Sequence, residues 1–300
     1  MDASRSVNEP RRALLVGAGA VGQAYGWHLQ QAGYEIAFFI KPHHREGLAA
    51  GVRVHCHNGS AKGTHDFRGF GLFDSPDALA GHHWDEIWLC MSSTALRGPW
   101  LDGLLSVVGD GTVVMLQPGL EDRAYLLERL SEDRLVCGLI SLVSYMAPLP
   151  GEARLPGMSW WFPPLSPSPF SGDAERVSPL VRALKKGGCP AQVVSDVRGT
   201  MAFASALFMP VIAALEVAEW SLSRLRKTEA LLLASRGGFQ ASALAAPGRR
   251  RWLAWLISRP WFLAMLLRIA PRFVPFDLET YLRVHFTKVG DQTRAMLQLY

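Results

Sequence analysis

The sequence predicts a mostly parallel, doubly wound α/β domain followed by an all-α domain, and three observations predict it. Short continuous apolar runs alternate with helical patterns from Ala13 to Val194. A glycine-rich turn, GAGAVG, separates the first run from the first helix. After Asp196 the chain changes to long helical stretches.

The elements follow in order. ALLVG is an apolar run of the length expected for a strand covered on both faces, and the helix VGQAYGWHLQQAG carries Val21, Ala24, Tyr25, Leu29 and Ala32 as a stripe at helical spacing. EIAFFI is the second strand, and DEIWLCM, TVVML and LVCGLISLVSY read as later ones. Residues 146 to 172 are rich in Pro, Gly and Ser and are expected to form hairpins and loops at the sheet edge. A last helix-and-strand unit is expected in VSPLVRALKKGGCPAQVV, so the sheet domain is placed at 1–196 and the helical one at 197–300. The helical part opens with TMAFASALFMPVIAALEVAEW and ends with LETYLRVHFTKVGDQTRAMLQLY, read as one final helix.

Bulk properties narrow the function classes. With 49% hydrophobic residues the chain can bury a large core, and its four cysteines form no CxxC pair or zinc-spaced cluster, so no metal site is expected. The first ten residues lack the apolar stretch of a secretory signal, and a cytoplasmic protein is expected. A net charge of +5 with no recognised motif argues against nucleic acid as a partner. The segment WLAWLISRPWFLAMLLRIAP is broken by Arg259 and Pro260 into pieces too short to span a bilayer. It reads either as a basic surface for peripheral membrane contact, or as buried helices of a second domain or a homodimer interface.

The glycine turn carries the most specific chemistry. Gly17, Gly19 and Gly22, with Ala18, Ala20 and Val21 between and beside them, lie directly after a predicted strand and directly before a helix, which is the Rossmann dinucleotide-binding context. The first glycine permits the turn, the second lets backbone approach a pyrophosphate, and the third lets helix and strand pack closely. Free N–H groups at the helix start then face the phosphates. After the second strand, where a carboxylate would hold the ribose hydroxyls of NAD, stands Lys41, followed by Arg45. A cation there attracts a 2′-phosphate, so the expected cofactor is NADP(H).

At this point the chain resembles the ketopantoate reductase family. The markers are GAGAVG, the basic residue after the second strand, LCMSSTAL, LQPGLED and a helix with FMPVIAALE. The resemblance implies a Rossmann domain followed by a helical domain, with hydride transfer from NADPH to a small 2-oxo acid held between them. It places Met91, Ser92, Gln117 and Pro118 at cofactor-binding positions, the first two where the family has a VK pair and Gln117-Pro118-Gly119 where it has QNG. The catalytic lysine of the family aligns with Met201, its following asparagines with Ser205 and Met209, and a substrate-binding serine with Ala295. Methionine cannot donate a proton, and no lysine lies between Arg198 and Arg224.

Replacement chemistry is sought in His285 and Lys288, with Gln292, which share one face of the expected final helix, and in Ser205 as a ligand hydrogen-bonder, although a buried serine is commonly satisfied by a helix carbonyl. The resulting expectation is an NADP(H)-dependent oxidoreductase acting on a small carbonyl substrate other than ketopantoate. The alternative is a non-catalytic NADP(H)-binding sensor or partner-organising protein.

Overall fold

A computed structural model of the protein describes residues 9–119, 121–245 and 251–299. The chain enters as β1 (Arg12–Val16), crosses α1 (Ala20–Gln31) and returns as β2 (Glu35–Phe39), paired in parallel to β1. The short α2 (Arg45–Ala49) leads to a hairpin, β3 (Val52–Cys56) with β4 (Gly63–Phe67), and β5 (Gly71–Phe73) then joins β2. A second crossover contains α3 (Pro76–Leu79), whose N-cap Ser75 accepts from the Ala78 amide. It leads to β6 (Glu86–Leu89), which lies on the other side of β1.

α4 (Ser93–Leu96) and α5 (Trp100–Val107) carry the chain to β7 (Thr112–Met115), and α6 (Asp122–Leu127) to β8 (Leu135–Gly138). Every residue of β6, β7 and β8 is buried, as continuous apolar runs between two helical layers require. Next come β9 (Val143–Ala147), β10 (Gly157–Trp161), β11 (Ser168–Ser171), α7 (Ala174–Lys186) and β12 (Ala191–Val193).

The main sheet has eight strands in the order β12-β11-β8-β7-β6-β1-β2-β5, with β11 antiparallel to β8. Strand order reverses between β1 and β6, so the crevice at their carboxyl ends is where a doubly wound sheet takes its ligand.

Residues 146–172 form a hairpin as expected, β10 antiparallel to β9, but it lies in a second sheet and not at the edge of the main one. Part of them, with β3 and β4, forms a second sheet in the order β4-β3-β10-β9, while β11 extends the main sheet. The LVCGLISLVSY run is accordingly split between β8 in one sheet and β9 in the other. α1 packs against β9 and β10 as well as against β1 and β2, so it is sandwiched between sheets. This explains why an unbroken run of α1, Gly22 to Leu29 with His28 included, is buried. Trp160 fills the resulting layer against Trp27, His28 and Phe162.

Beyond β12 the chain is helical: α8 (Val197–Val217), α9 (Leu222–Leu225), α10 (Glu229–Ala245), α11 (Arg251–Ile257), α12 (Pro260–Ile269), α13 (Leu278–Lys288) and α14 (Gly290–Gln298). Asp196 caps α8 by accepting from the Gly199 amide at 2.9 Å. α8 and α10 form the principal helix pair. Among the described helices α8 alone is long and apolar enough to cross a bilayer unaided, and half of that stretch is buried against the protein. α11 meets the helix after it at a 65° bend, at the Arg259-Pro260 step. The expected single final helix is broken at Val289, whose ψ of 23° leaves the helical range, into α13 and α14.

Candidate active site

The glycine turn is built as a cradle. Gly17 has φ of 100°, and its amide donates to Phe39 O at 2.9 Å, which curls the chain back over the end of β2. A Cβ on Gly22 would lie 2.1 Å from Gly17 O, so only glycine lets α1 start this close to the turn. A Cβ on Gly19 would meet no protein atom within 4 Å. Gly19 therefore borders open space, and Ala20, Val21 and Gly22 in the first turn of α1 have no intrahelical acceptor for their amides. No acidic residue occupies that turn. An open glycine below outward N–H groups is the shape and polarity a pyrophosphate fills, so the residues present fit a dinucleotide.

Cys90 closes the far side: its carbonyl oxygen lies 3.4 Å from the Cβ position of Gly17. Burial pushes its thiol up, so it is packing and not a nucleophile. At the end of β2, Lys41 stands exposed as the cap of a short 3-10 turn. Arg45 is engaged differently: its Nε donates to Asp74 Oδ2 at 2.8 Å and its Nη2 to Leu72 O. The Arg45 guanidinium in turn holds the Asp74 carboxyl below its usual range.

The residues after β6 and β7 are tied together. Gln117 is buried, and its Nε2 donates to Leu89 O at 2.9 Å and Met91 O at 2.8 Å, while its Oε1 accepts from the Leu116 amide. Its polar atoms are thus spent on positioning Met91 and the turn that follows. Ser92 caps α4, accepting from the Ala95 amide. Sequence reasoning missed Asp122, which is fully buried and accepts from Arg97 Nη1 at 2.6 Å and from the Gly119 amide at 2.9 Å, fixing the Pro118-Gly119 turn. Only its place within LQPGLED hinted at it.

Between this turn and the start of α8 opens a cleft of about 330 Å³ lined by Met115, Pro118, Arg123, Arg198, Met201 and Ala202 among others. Its lining combines these apolar side chains with two guanidinium groups and the carboxylate of Asp196. Arg123 also pairs with Glu132. Neither arginine belongs to a local motif, because the fold, not sequence spacing, brings α6 to α8.

Met201, Ser205 and Met209 succeed one another at four-residue spacing on α8. Met201 packs in the sheet-domain core and Met209 in the helical core. Ser205 therefore sits at the seam between them. Its Oγ is buried and has no hydrogen-bond partner, contrary to the expectation of a helix carbonyl. Ser93 Oγ is likewise buried and unpartnered, while the Ser93 amide donates to Gln292 Oε1 at 3.0 Å across the seam.

His285 and Lys288 lie on α13 and Gln292 on α14, separated by the break at Val289, and Gln292 is engaged by the Ser93 amide. His285 stacks on Tyr281 with ring centroids 5.5 Å apart, and Tyr281 meets Tyr145 and Phe276 in an aromatic seam against the second sheet. Trp161 joins the same seam through Phe276. Burial, assisted by the charge of Lys288, brings the His285 imidazole down to about 4, so it is neutral at pH 7. Lys288 is exposed at the end of α13. Glu216 and Glu219 are exposed and pair with Arg294 and Arg224.

Residues 13–160 match a family model described as ketopantoate reductase PanE/ApbA. No curated protein matches. Among solved structures, a PanE/ApbA family ketopantoate reductase from Ralstonia eutropha JMP134 superposes with TM-score 0.62 at 18% identity, covering 96% of each chain. A 2-dehydropantoate 2-reductase from Geobacter metallireducens GS-15 gives 0.65 at 17%, covering 96% of this chain and 98% of that one. D-mandelate dehydrogenase, in a ternary structure with NADH and anilino(oxo)acetate, gives 0.64 at 13%, covering 96% of each. At such identities the likeness is one of fold, and it extends through both parts of the chain.

Proposed function

The first domain of this chain belongs to the ketopantoate reductase family of oxidoreductases, and from that premise we propose that the protein is an NADP(H)-dependent reductase of a 2-oxo acid bulkier and more apolar than ketopantoate. One observation carries the substrate reading: the cleft between the β7 turn and the start of α8 is lined by Met115, Pro118, Met201 and Ala202 together with Arg123, Arg198 and Asp196. The arginines suit a carboxylate, and the apolar lining suits an apolar body. The fold neighbour D-mandelate dehydrogenase, solved with anilino(oxo)acetate, shows that this architecture accommodates an aryl-bearing oxo acid in another protein.

For the cofactor, Lys41 supports a 2′-phosphate: it is the exposed cation at the end of β2, whereas Arg45 is held by Asp74. That same neighbour carries NADH, so the preference rests on this chain's own Lys41. When bound, the dihydronicotinamide supplies the hydride. Hydride arrival at the carbonyl carbon leaves negative charge on oxygen, which needs a donor. Ser205 is the buried hydroxyl on α8 whose hydrogen is uncommitted, one turn from Met201 at the cleft wall, and it is assigned to hold that oxygen while solvent delivers the proton. His285, neutral and stacked in the aromatic seam, and Lys288, at the end of α13, lie on an element apart from this stripe.

The test is NADPH oxidation followed by absorbance with a panel of 2-oxo acids graded from ketopantoate to aryl-substituted ones. Turnover rising with apolar bulk is expected. Tight NADPH binding with no turnover on any member would favour a non-catalytic nucleotide sensor instead.

A further inference from the structure

Between Ala230 and Phe276 the sequence contains no Asp, Glu or Lys and seven arginines: Arg236, Arg249, Arg250, Arg251, Arg259, Arg268 and Arg272. The described part of this stretch after α10 is α11 and α12 with the turn that follows. It rests lightly on the protein: from Arg251 to Phe276 only Ala254, Ser258 and Leu263 are buried. Ser235 on α10 secures it by donating to Ser258 O.

Ala264 and Leu267 also pack partly against the helical core, and what the arm presents outward is apolar and aromatic. Trp252 is 70% exposed, Trp261 61% and Phe273 68%, with Trp255, Met265, Leu266 and Ile269 also outward. Arg259 lies over the Trp255 ring at 3.8 Å, which fixes a guanidinium beside an indole. Water is a poor partner for such a surface, which is the kind that marks an interaction site.

We propose that the α11–α12 arm docks on an anionic phospholipid bilayer. Charge complementarity selects this occupant. A second copy of the chain meeting the arm about a two-fold axis would set Arg251, Arg259, Arg268 and Arg272 against the same four residues, with no carboxylate in the segment to pair them. An anionic headgroup layer pairs all of them, and indole rings beside guanidinium groups are the side chains that settle at the headgroup level. The arm lies along the surface and does not cross it. α11 has 7 residues and α12 has 10, which at about 1.5 Å per residue are each far short of a hydrocarbon core of about 30 Å, and they are bent by 65°. Apolar residues outward and arginines alongside are the pattern of an interfacial helix pair.

Flotation of the full-length protein with vesicles tests this, comparing phosphatidylcholine alone with phosphatidylcholine mixed with phosphatidylglycerol. Partitioning at least about tenfold greater onto the anionic vesicles, weakened by salt and accompanied by a blue shift of tryptophan emission, is expected. The triple variant Trp252→Ala/Trp255→Ala/Trp261→Ala and the pair Arg268→Gln/Arg272→Gln should each lose that partitioning while melting temperature and NADPH titration stay as in the parent. Partitioning that is absent or indifferent to lipid charge in a folded protein overturns the proposal. So does a concentration-dependent dimer that Trp255→Glu dissociates, which would make a second copy the occupant.

Discussion

The Ser93 amide donates to Gln292 Oε1 at 3.0 Å, so a residue 199 positions further along the chain completes the start of α4. This bond crosses the seam between the sheet domain and the helical part, and the turn it holds runs directly from Cys90, the residue packed against Gly17 and Gly22. Gln292→Ala should cost about 1 kcal/mol in urea unfolding, the net worth of one such bond, and raise KM for NADPH more than it lowers kcat. Gln292→Glu keeps an acceptor at that position and should restore most of the KM. Equal KM values in parent and Gln292→Ala would show that the turn does not depend on it.

Two glycines of the cradle should respond differently. Gly22→Ala forces a Cβ to within 2.1 Å of Gly17 O, and should destabilise the fold by about 2 kcal/mol as well as abolish nucleotide binding. Gly19 has φ of −74° and open space around it, so Gly19→Ala should melt with the parent yet bind nucleotide at least about tenfold more weakly. Calorimetry and fluorescence titration on the same samples separate the two effects. A Gly19→Ala protein with parental affinity would remove the pyrophosphate from that space.

Ser205→Ala deletes a buried hydroxyl that has no partner, so stability should hold or rise slightly. If that hydroxyl holds the substrate oxygen, kcat should fall about a hundredfold, the scale of one lost oxyanion donor. Unchanged kcat would reduce Ser205 to seam packing.

Much of this was legible from the chain, and the parts that were not have physical reasons. Periodicity and the glycine spacing located β1, α1 and β2 because those elements are made by contiguous residues. The second sheet was hidden because β3 pairs in parallel with β10, about a hundred residues away, and β4 is mostly exposed and shows no apolar alternation. Gln117 was expected at the cofactor; its amide is instead consumed by Leu89 O and Met91 O, bonds that no local pattern announces. The single final helix expected to carry His285, Lys288 and Gln292 is interrupted at one residue, Val289, which ends α13 before α14 begins. Arg123 and Arg198 line one cleft, and Asp122 meets Arg97, only through tertiary packing.

Acid should weaken the protein earlier than its carboxylates require. Burial lowers His28, His57 and His285 from 6.5 to about 4, so each is neutral in the fold and takes up a proton on unfolding once pH drops below 6.5. Their contribution is fully present above that value and is lost as pH falls toward 4, at up to about 1.4 kcal/mol per pH unit for each histidine. Urea midpoints should therefore fall steeply from pH 6.5 to 4.5, and less steeply in His28→Gln. A flat midpoint across that window would show that these rings are not held neutral by burial.

The proposed NADP(H) preference rests on the glycine turn and on Lys41. Titrating the protein with NADPH and with NADH by fluorescence tests it directly, in the parent and in Lys41→Ala. NADPH should bind at least about tenfold more tightly than NADH in the parent, and the two should converge in the variant through loss of NADPH affinity alone. Equal affinities in the parent, tighter NADH, or binding of neither nucleotide would contradict it.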